Sequence, residues 1–520
     1  MTQPRTDQRV LMLGLDAAEL TLIERWIAEG RLPALAELAR RGRFGPLTSP
    51  AADYAGGVWP TFYASRPVAR HGIYHNKLWR ASTMRIEVPT DAWLGSRPFW
   101  EHAAARGLRA CIVDVPMVLG PPRPLDGLYL GGWGTHDVIA RGSWPPELWR
   151  ELENRHGAPA MPPEHFGPQD ASSLTRLRDS LLDATAQQQQ ILLDLLGREQ
   201  WDLACVVLGA THRGGHYLWD LGEIDQAPLD AARRTALEGA LAELYVAVDR
   251  TVGEIVARVD DATTVLAFAV HGMGPNPGWA DLFADILDAA LQAADNRPPK
   301  RGLLYSLKRR IPFHWARPIL TRLPPAVTGR LVELWSSGMY DWRTTRHFPL
   351  AMDHAGYLRL NVAGRERDGI VEPGAAYTAL CDRLEGLILA LRDAGSGAAL
   401  AAAVHRAWQE APATADGRDV LPDLVVTWAG LPARQVRRVV CDQVPGFAYD
   451  VPQRLPSGRS GNHRDRGWLI AAGPGIAPGA LEPGHSILDL VPTVMARLGV
   501  EADPAWDGRP IDLSPGPALP

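Results

Sequence analysis

The chain has 520 residues, 46% hydrophobic and 22% charged, with a formal net charge of -5 and a pI of about 6.3. That length allows a large core, and the mildly acidic balance without a long basic tract argues against bulk nucleic acid as a partner. Four cysteines, Cys111, Cys205, Cys381 and Cys441, lie far apart and form no paired metal motif. The apolar runs around Cys111 and Cys205 suit buried thiols and a reducing compartment. The first nine residues are polar and lack a signal-peptide pattern, and the apolar run after them is too short to cross a bilayer. The sequence therefore reads as a cytoplasmic protein without a transmembrane segment.

In chain order, the apolar run Val10 to Leu15 ends at Asp16. A continuous run of that kind suits a strand covered on both faces. With the helical segments 20–28 and 33–40 after it, an α/β unit is expected, with Asp16 at a strand's carboxyl end, where open α/β sheets bind ligands. Residues 44–50 read as extended. In Gly56-Gly57-Val58-Trp59-Pro60-Thr61, Pro60 suits a first helical turn, which would put Thr61 at a helix N-terminus. Two roles fit Thr61: a capping residue, or an alcohol nucleophile for a phosphoryl or sulfuryl centre. His71 and His75 follow as polar residues near it. A helix is expected over 98–106, a strand over 109–115 and a glycine-rich approach over 128–134 to His136 and Asp137. Residues 141–170 read as surface loops.

A helix over 171–198 precedes a strand over 201–208, which leads into Thr211-His212-Arg213-Gly214-Gly215-His216. If that segment is helical, both imidazoles face one metal ion; the glycines leave separate hydrogen-bonding roles open. A helix over 232–256 and a buried strand over 263–270 bring His271 to another carboxyl end. The basic, proline-interrupted stretch 295–335 reads as an insertion or cap rather than a membrane-surface helix. An edge or hairpin strand is expected at 357–361, helices at 377–392 and 398–410, strands at 423–426 and 467–472, and a closing helix at 487–498. His463 lies in Gly461-Asn462-His463-Arg464 and is a candidate to join His212 and His216; three imidazoles plus one oxygen suit zinc or iron.

These stretches together resemble the alkaline phosphatase superfamily, in its type I phosphodiesterase and nucleotide pyrophosphatase branch. The matching order is Leu13-Gly14-Leu15-Asp16, Trp59-Pro60-Thr61, His216, His271-Gly272-Met273-Gly274, Asn361 with Gly364-Arg365-Glu366, Gly461-Asn462-His463-Arg464, Gly473-Pro474-Gly475-Ile476 and Pro492-Thr493. The resemblance implies an α/β sandwich with a central mixed β-sheet flanked by helices, plus a cap or insertion. It divides the chain into a core over 9–294 and 341–512 with an insertion over 295–340. It also implies a small phosphorylated substrate and one or two metal ions, Zn2+ first, with Mn2+ or Fe as alternatives.

By the same resemblance, Thr61 and Asp16 are catalytic, Thr61 attacking phosphorus. Asp16, Thr61 and His271 belong to one metal site, His216 and His463 to the other. Two positions depart from the family pattern. Val270 stands where an aspartate ligand is expected, and valine cannot ligate. His212 stands where the second site has an aspartate. The expectation is a firm site at His212, His216 and His463 and a weakened one at Asp16, Thr61 and His271. The chemistry expected is metal-dependent hydrolysis of a phosphate ester or diester. The alternatives are a single-metal transferase or lyase using three histidines, or a noncatalytic binding protein on the same fold.

Overall fold

The computed structural model describes residues 8–135, 139–163, 167–295, 340–350, 355–410 and 420–514. His136, Asp137 and residues 296–339 of the expected insertion lie outside the described residues. The chain forms two compact units: Met1–His71, Thr90–Asn276 and Gly458–Pro520 in the first, Gly72–Pro89 and Pro277–Ser457 in the second.

The first unit is built on a nine-stranded sheet. We number the strands of this unit β1 (Arg9–Leu15), β2 (Arg43–Thr48), β3 (Ala110–Val113), β4 (Gly127–Gly131), β5 (Gly142–Trp144), β6 (Leu203–Leu208), β7 (Thr263–Ala269), β8 (Gly272–Pro275), β9 (Gly461–Arg464), β10 (Arg466–Ala472) and β11 (Gly479–Ala480). The sheet order is β11-β2-β10-β7-β1-β6-β3-β4-β5. Strands β7, β1, β6, β3 and β4 run parallel, and β10 enters antiparallel between β2 and β7. The central strands β1, β6 and β7 are buried almost throughout, which is why they read as unbroken apolar runs. The long helices Ala171–Gly197 and Ala231–Val256 contribute Leu181, Leu192, Leu244 and Val248 to the core over this sheet.

Two expectations for this unit fail. Residues 141–170 are not only loops: β5 joins the sheet edge, and Leu148–His156 is a helix that buries Leu148 and Leu152, four apart on one face. Pro145 and Pro146 precede that helix instead of breaking it. Thr61 is also not at a helix N-terminus. The helix Val58–Ala64 continues a 3-10 turn, Ala55–Gly57, and its N-cap is Gly57. Thr61 is the fourth helical residue, and Pro60 is tolerated before it because the first-turn amides need no intrahelical acceptor.

In the second unit, a four-stranded antiparallel sheet has the order His347–Leu350, Gly356–Leu360, Leu424–Trp428, Ala401–His405. Gly356–Leu360 is thus interior and not an edge, although it does pair antiparallel with the strand before it, and all five of its residues are buried. The alanine-rich stretch expected as one helix over 398–410 is a strand, Ala401–His405, with a short helix, Ala407–Glu410. Pairing with Leu424–Trp428 overrides alanine's helix preference. The helices Trp279–Asp295 and Ala375–Leu389 pack Phe283, Ile286, Leu384 and Ile388 with Leu358, Leu360 and Val426.

Beneath this core lies a buried ionic network. Arg359 Nε donates to Glu366 Oε1 at 2.8 Å and Arg365 Nε to Glu366 Oε2 at 2.9 Å. The other two Arg365 nitrogens meet the Asp423 carboxylate at 2.8 and 2.7 Å. Asp423 also accepts from Leu360 N at 2.6 Å and from the Tyr377 hydroxyl at 2.8 Å. Asn361 Nδ2 donates to the carbonyls of Trp342, Thr345 and Asp368. The Asn361, Arg365 and Glu366 side chains of the motif therefore hold the architecture of this unit together.

Candidate metal centre

Strand register assembles the centre. Leu15 pairs with Leu208 and Gly14 with Phe268, so β1, β6 and β7 end side by side. Asp16 follows β1 directly, and its amide donates to Leu208 O at 3.0 Å. His212 lies in the helix Ala210–Tyr217 just beyond β6, and His271 lies just beyond β7. His463 arrives on β9, which pairs with β8 so that Met273 faces His463. The 210–217 segment is helical despite its glycines, which serve close packing. A Cβ on Gly461 would stand 2.0 Å from Gly215 O, and one on Gly215 would stand 2.9 Å from Met273 Cγ. Glycine there lets the helix close against the β8–β9 ribbon.

Asp16, His212, His216, His271 and His463 are all buried. The His212 ring centroid lies 4.7 Å from His216, 4.9 Å from His463 and 6.0 Å from His271. His271 and His463 are 4.5 Å apart by centroids. Two sets of ligand atoms each gather within 4.8 Å: His212, His216 and His463, and Asp16, His212 and His271. The second set contains a donor that the motif comparison did not supply. Val270 is fully buried and offers no ligand atom, but His212 joins Asp16 and His271.

The hydrogen-bond chemistry around the rings fits a cation. His216 Nδ1 is 3.0 Å from Gly461 O, and a carbonyl only accepts, so Nδ1 carries a proton and, in the neutral ring, Nε2 carries the lone pair. That Nε2 lies 3.1 Å from His212 Nε2, while His212 Nδ1 lies 3.0 Å from Asp16 Oδ2. Acceptors thus face both edges of the His212 ring, which cations satisfy directly. Asp16 is itself held in place: Trp59 Nε1 donates to Oδ1 at 3.0 Å, and the Thr211 hydroxyl donates to the Asp16 carbonyl at 2.6 Å. A donor set of imidazoles with one carboxylate suits zinc.

Thr61 is buried, and its Oγ1 lies 3.1 Å from His71 Nε2. Trp59, which reaches Asp16, sits two residues earlier in the same helix. At about 100° per residue, Thr61 leaves the helix about 200° away, near the opposite face. Burial, with the Arg66 charge adding to it, pushes His71 down to about 3 from 6.5 and keeps its ring neutral. His71 therefore orients the Thr61 hydroxyl and is poorly suited to retaining its proton. Below pH 6.5 the unfolded chain takes up a proton at His71 that the folded chain refuses. Stability from this residue is thus complete above that pH and is lost toward pH 3, by up to about 1.4 kcal/mol per unit. We expect urea midpoints of His71→Asn to fall less between pH 7 and pH 5 than those of the unaltered protein; parallel falls would refute this account.

His75, expected as a polar residue near Thr61, lies in the second unit, where its Nδ1 accepts from Lys77 N. Other residues around the centre carried no sequence signal. Glu19 Oε2 accepts from Met273 N at 3.1 Å and so holds the turn after His271. Ser49 follows β2, and its amide donates to Asp465 O at 3.0 Å, two residues from His463. The Ser49 hydroxyl is buried with no hydrogen-bond partner among the described residues. The Ala51–Tyr54 helix after it packs against β9. Nothing in the local sequence separates this serine from an ordinary loop residue.

The model of the type I phosphodiesterase/nucleotide pyrophosphatase family matches residues 10–425. The chain belongs to that family. No curated protein sequence matches it significantly. Among solved structures, phosphonoacetate hydrolase from Sinorhizobium meliloti 1021, in complex with phosphonoformate, is 13% identical, with a TM-score of 0.50 and 96% of each chain covered. Murine ectonucleotide pyrophosphatase/phosphodiesterase 5, in complex with AMP, is also 13% identical over 96% of each chain, with a TM-score of 0.46. The human form of that protein is 12% identical over the same shares, with a TM-score of 0.47. The mixed α/β sheet flanked by helices is the alkaline-phosphatase-like fold expected from the motif order. No helix among the described residues is long and apolar enough to cross a membrane.

Proposed function

We propose that the chain is a metal-dependent hydrolase of phosphate esters or diesters, with an ion, zinc first, held by His212, His216 and His463. The observation that carries this reading is the His216 ring, whose Nδ1 is committed to a backbone carbonyl while its Nε2 lone pair meets His212. Family membership supports the substrate class. A bound ion would act as a Lewis acid toward a phosphoryl oxygen. The chain's own groups do the rest: Gly461 O fixes the His216 tautomer and Asp16 faces His212. The motif order names Thr61 as the attacking alcohol, and His71 would hold its hydroxyl in one orientation. The buried free thiols among the described residues are in keeping with a cytoplasmic setting.

A second reading has one specific observation in its favour. The Thr61 Oγ1 lies 3.1 Å from His71 Nε2, a contact that suits a structural hydroxyl and chemistry without a threonyl intermediate, as in a transferase or lyase. Thr61→Ala and Ser49→Ala, assayed on a panel of phosphate mono- and diesters, separate the readings. A threonine nucleophile predicts a loss of about 100-fold or more in Thr61→Ala, with little change in Ser49→Ala. A phosphorylated Thr61 peptide in acid-quenched protein would support it. Unchanged turnover in Thr61→Ala would remove Thr61 from the chemistry.

A further inference from the structure

We infer that His212 bridges two metal ions, with Nε2 serving the His216 and His463 side and Nδ1 serving the Asp16 and His271 side. This rests on the metal-dependent reading above and extends it from one ion to two. Imidazole differs from a carboxylate in a way that matters here: its two nitrogens sit on separate edges of a rigid ring. His212 Nδ1 lies 3.0 Å from Asp16 Oδ2, and Nε2 lies 3.1 Å from His216 Nε2. The two edges therefore look into two different ligand sets, and His212 is the one residue common to both.

The arrangement answers the defect at Val270. Without an aspartate there, Asp16 and His271 make a two-donor site, too few for a firm ion. His212 Nδ1 raises the count to three. On the other side, His216 and His463 keep three donors through Nε2. One residue that replaces an acid thus supplies a donor to each site. The alternative is a doubly protonated His212 between Asp16 and His216, which would hold the same two contacts with no ion. Binding at both nitrogens displaces both ring protons into solvent, leaving a bridging imidazolate.

Metal content and electronic coupling test this without recourse to turnover. The full chain, loaded with Zn2+ and then dialysed, is expected to retain two ions, His271→Ala one, and His212→Ala none. With Cu2+ in place of Zn2+, the two-copper protein is expected to give a far weaker paramagnetic resonance signal per copper than His271→Ala, because an imidazolate couples the two spins. His212→Gln, with thermal melts of every variant, guards against loss of ions through misfolding. Two ions retained in His212→Ala, or two copper ions with independent signals, would overturn the bridge. A single ion in the unaltered protein, kept in His271→Ala, would overturn the bridge and leave the hydrolase reading standing. No ion in the unaltered protein would overturn both.

Discussion

Replacing His463 by alanine is expected to abolish the ion between His212 and His216 and to slow phosphate-ester hydrolysis by about three orders of magnitude. The size follows from a Lewis acid contributing several kcal/mol at the transition state, at about 1.4 kcal/mol per factor of ten. His463 is a clean place to test this. It sits on β9, whose pairing with β8 runs through backbone groups and survives a change of side chain. The His463 amide bonds to Asn462 Oδ1, a contact that also survives. Asp16 and Trp59 belong to other elements, and the His216–Gly461 bond uses a backbone carbonyl of β9 that a change of side chain at 463 leaves in place. The check is zinc content and turnover on the same preparation, beside a thermal melt. Lost zinc with undiminished turnover would move the chemistry away from the histidine cluster.

The other large effect concerns the second unit. Asp423→Ala is expected to destabilise it by about 3 to 5 kcal/mol, the range for removing one member of a buried ion pair. The loss falls on several groups at once. Arg365 keeps its charge in a buried place and loses two hydrogen bonds, while Leu360 N and the Tyr377 hydroxyl lose their acceptor. Arg365 is already raised far above its ordinary value by Asp423 and Glu366, against the opposing effect of burial. Glu366 remains bonded to Arg365 and Arg359, so collapse of the network is partial. Chemical denaturation followed by circular dichroism and total tryptophan fluorescence gives the magnitude. Asp423→Leu combined with Arg365→Met should cost clearly less than the two single changes added together, because no lone charge is left behind. Simple additivity would mean that the pair does not act as a unit.

Much of the first unit was legible because burial writes itself into sequence. Strands β1, β6 and β7 are covered on both faces, so their apolar runs, and the polar residues ending them, stood out. The four-residue spacing of His212 and His216 became one helix face as soon as the helix was granted. Less was legible where tertiary pairing outvoted local preference. Ala401–His405 looks helical by composition and is a strand because Leu424–Trp428 lies beside it. The surroundings of Thr61 were hidden as well: its helix begins at Val58 instead of Pro60, and its hydroxyl meets His71, a contact that no local pattern announces. The part played by His212 was hidden for a different reason. A sequence records that a ring is present, but which neighbours face its two edges depends on strand register and ring orientation.

The place of β10 in the sheet bears on how the protein is made. Both neighbours of β2 in the sheet, β10 and β11, come from residues after 465, although β2 itself is synthesised near the start. Until those residues are made, β2 and one side of β7 are open edges, the kind of surface that recruits other chains. His463 leaves the ribosome just ahead of the strand that closes those edges. Sheet closure and completion of the ligand set are therefore nearly simultaneous, late events. A chain stopped short of these residues carries the aggregation hazard of an unfinished sheet together with an incomplete candidate metal centre.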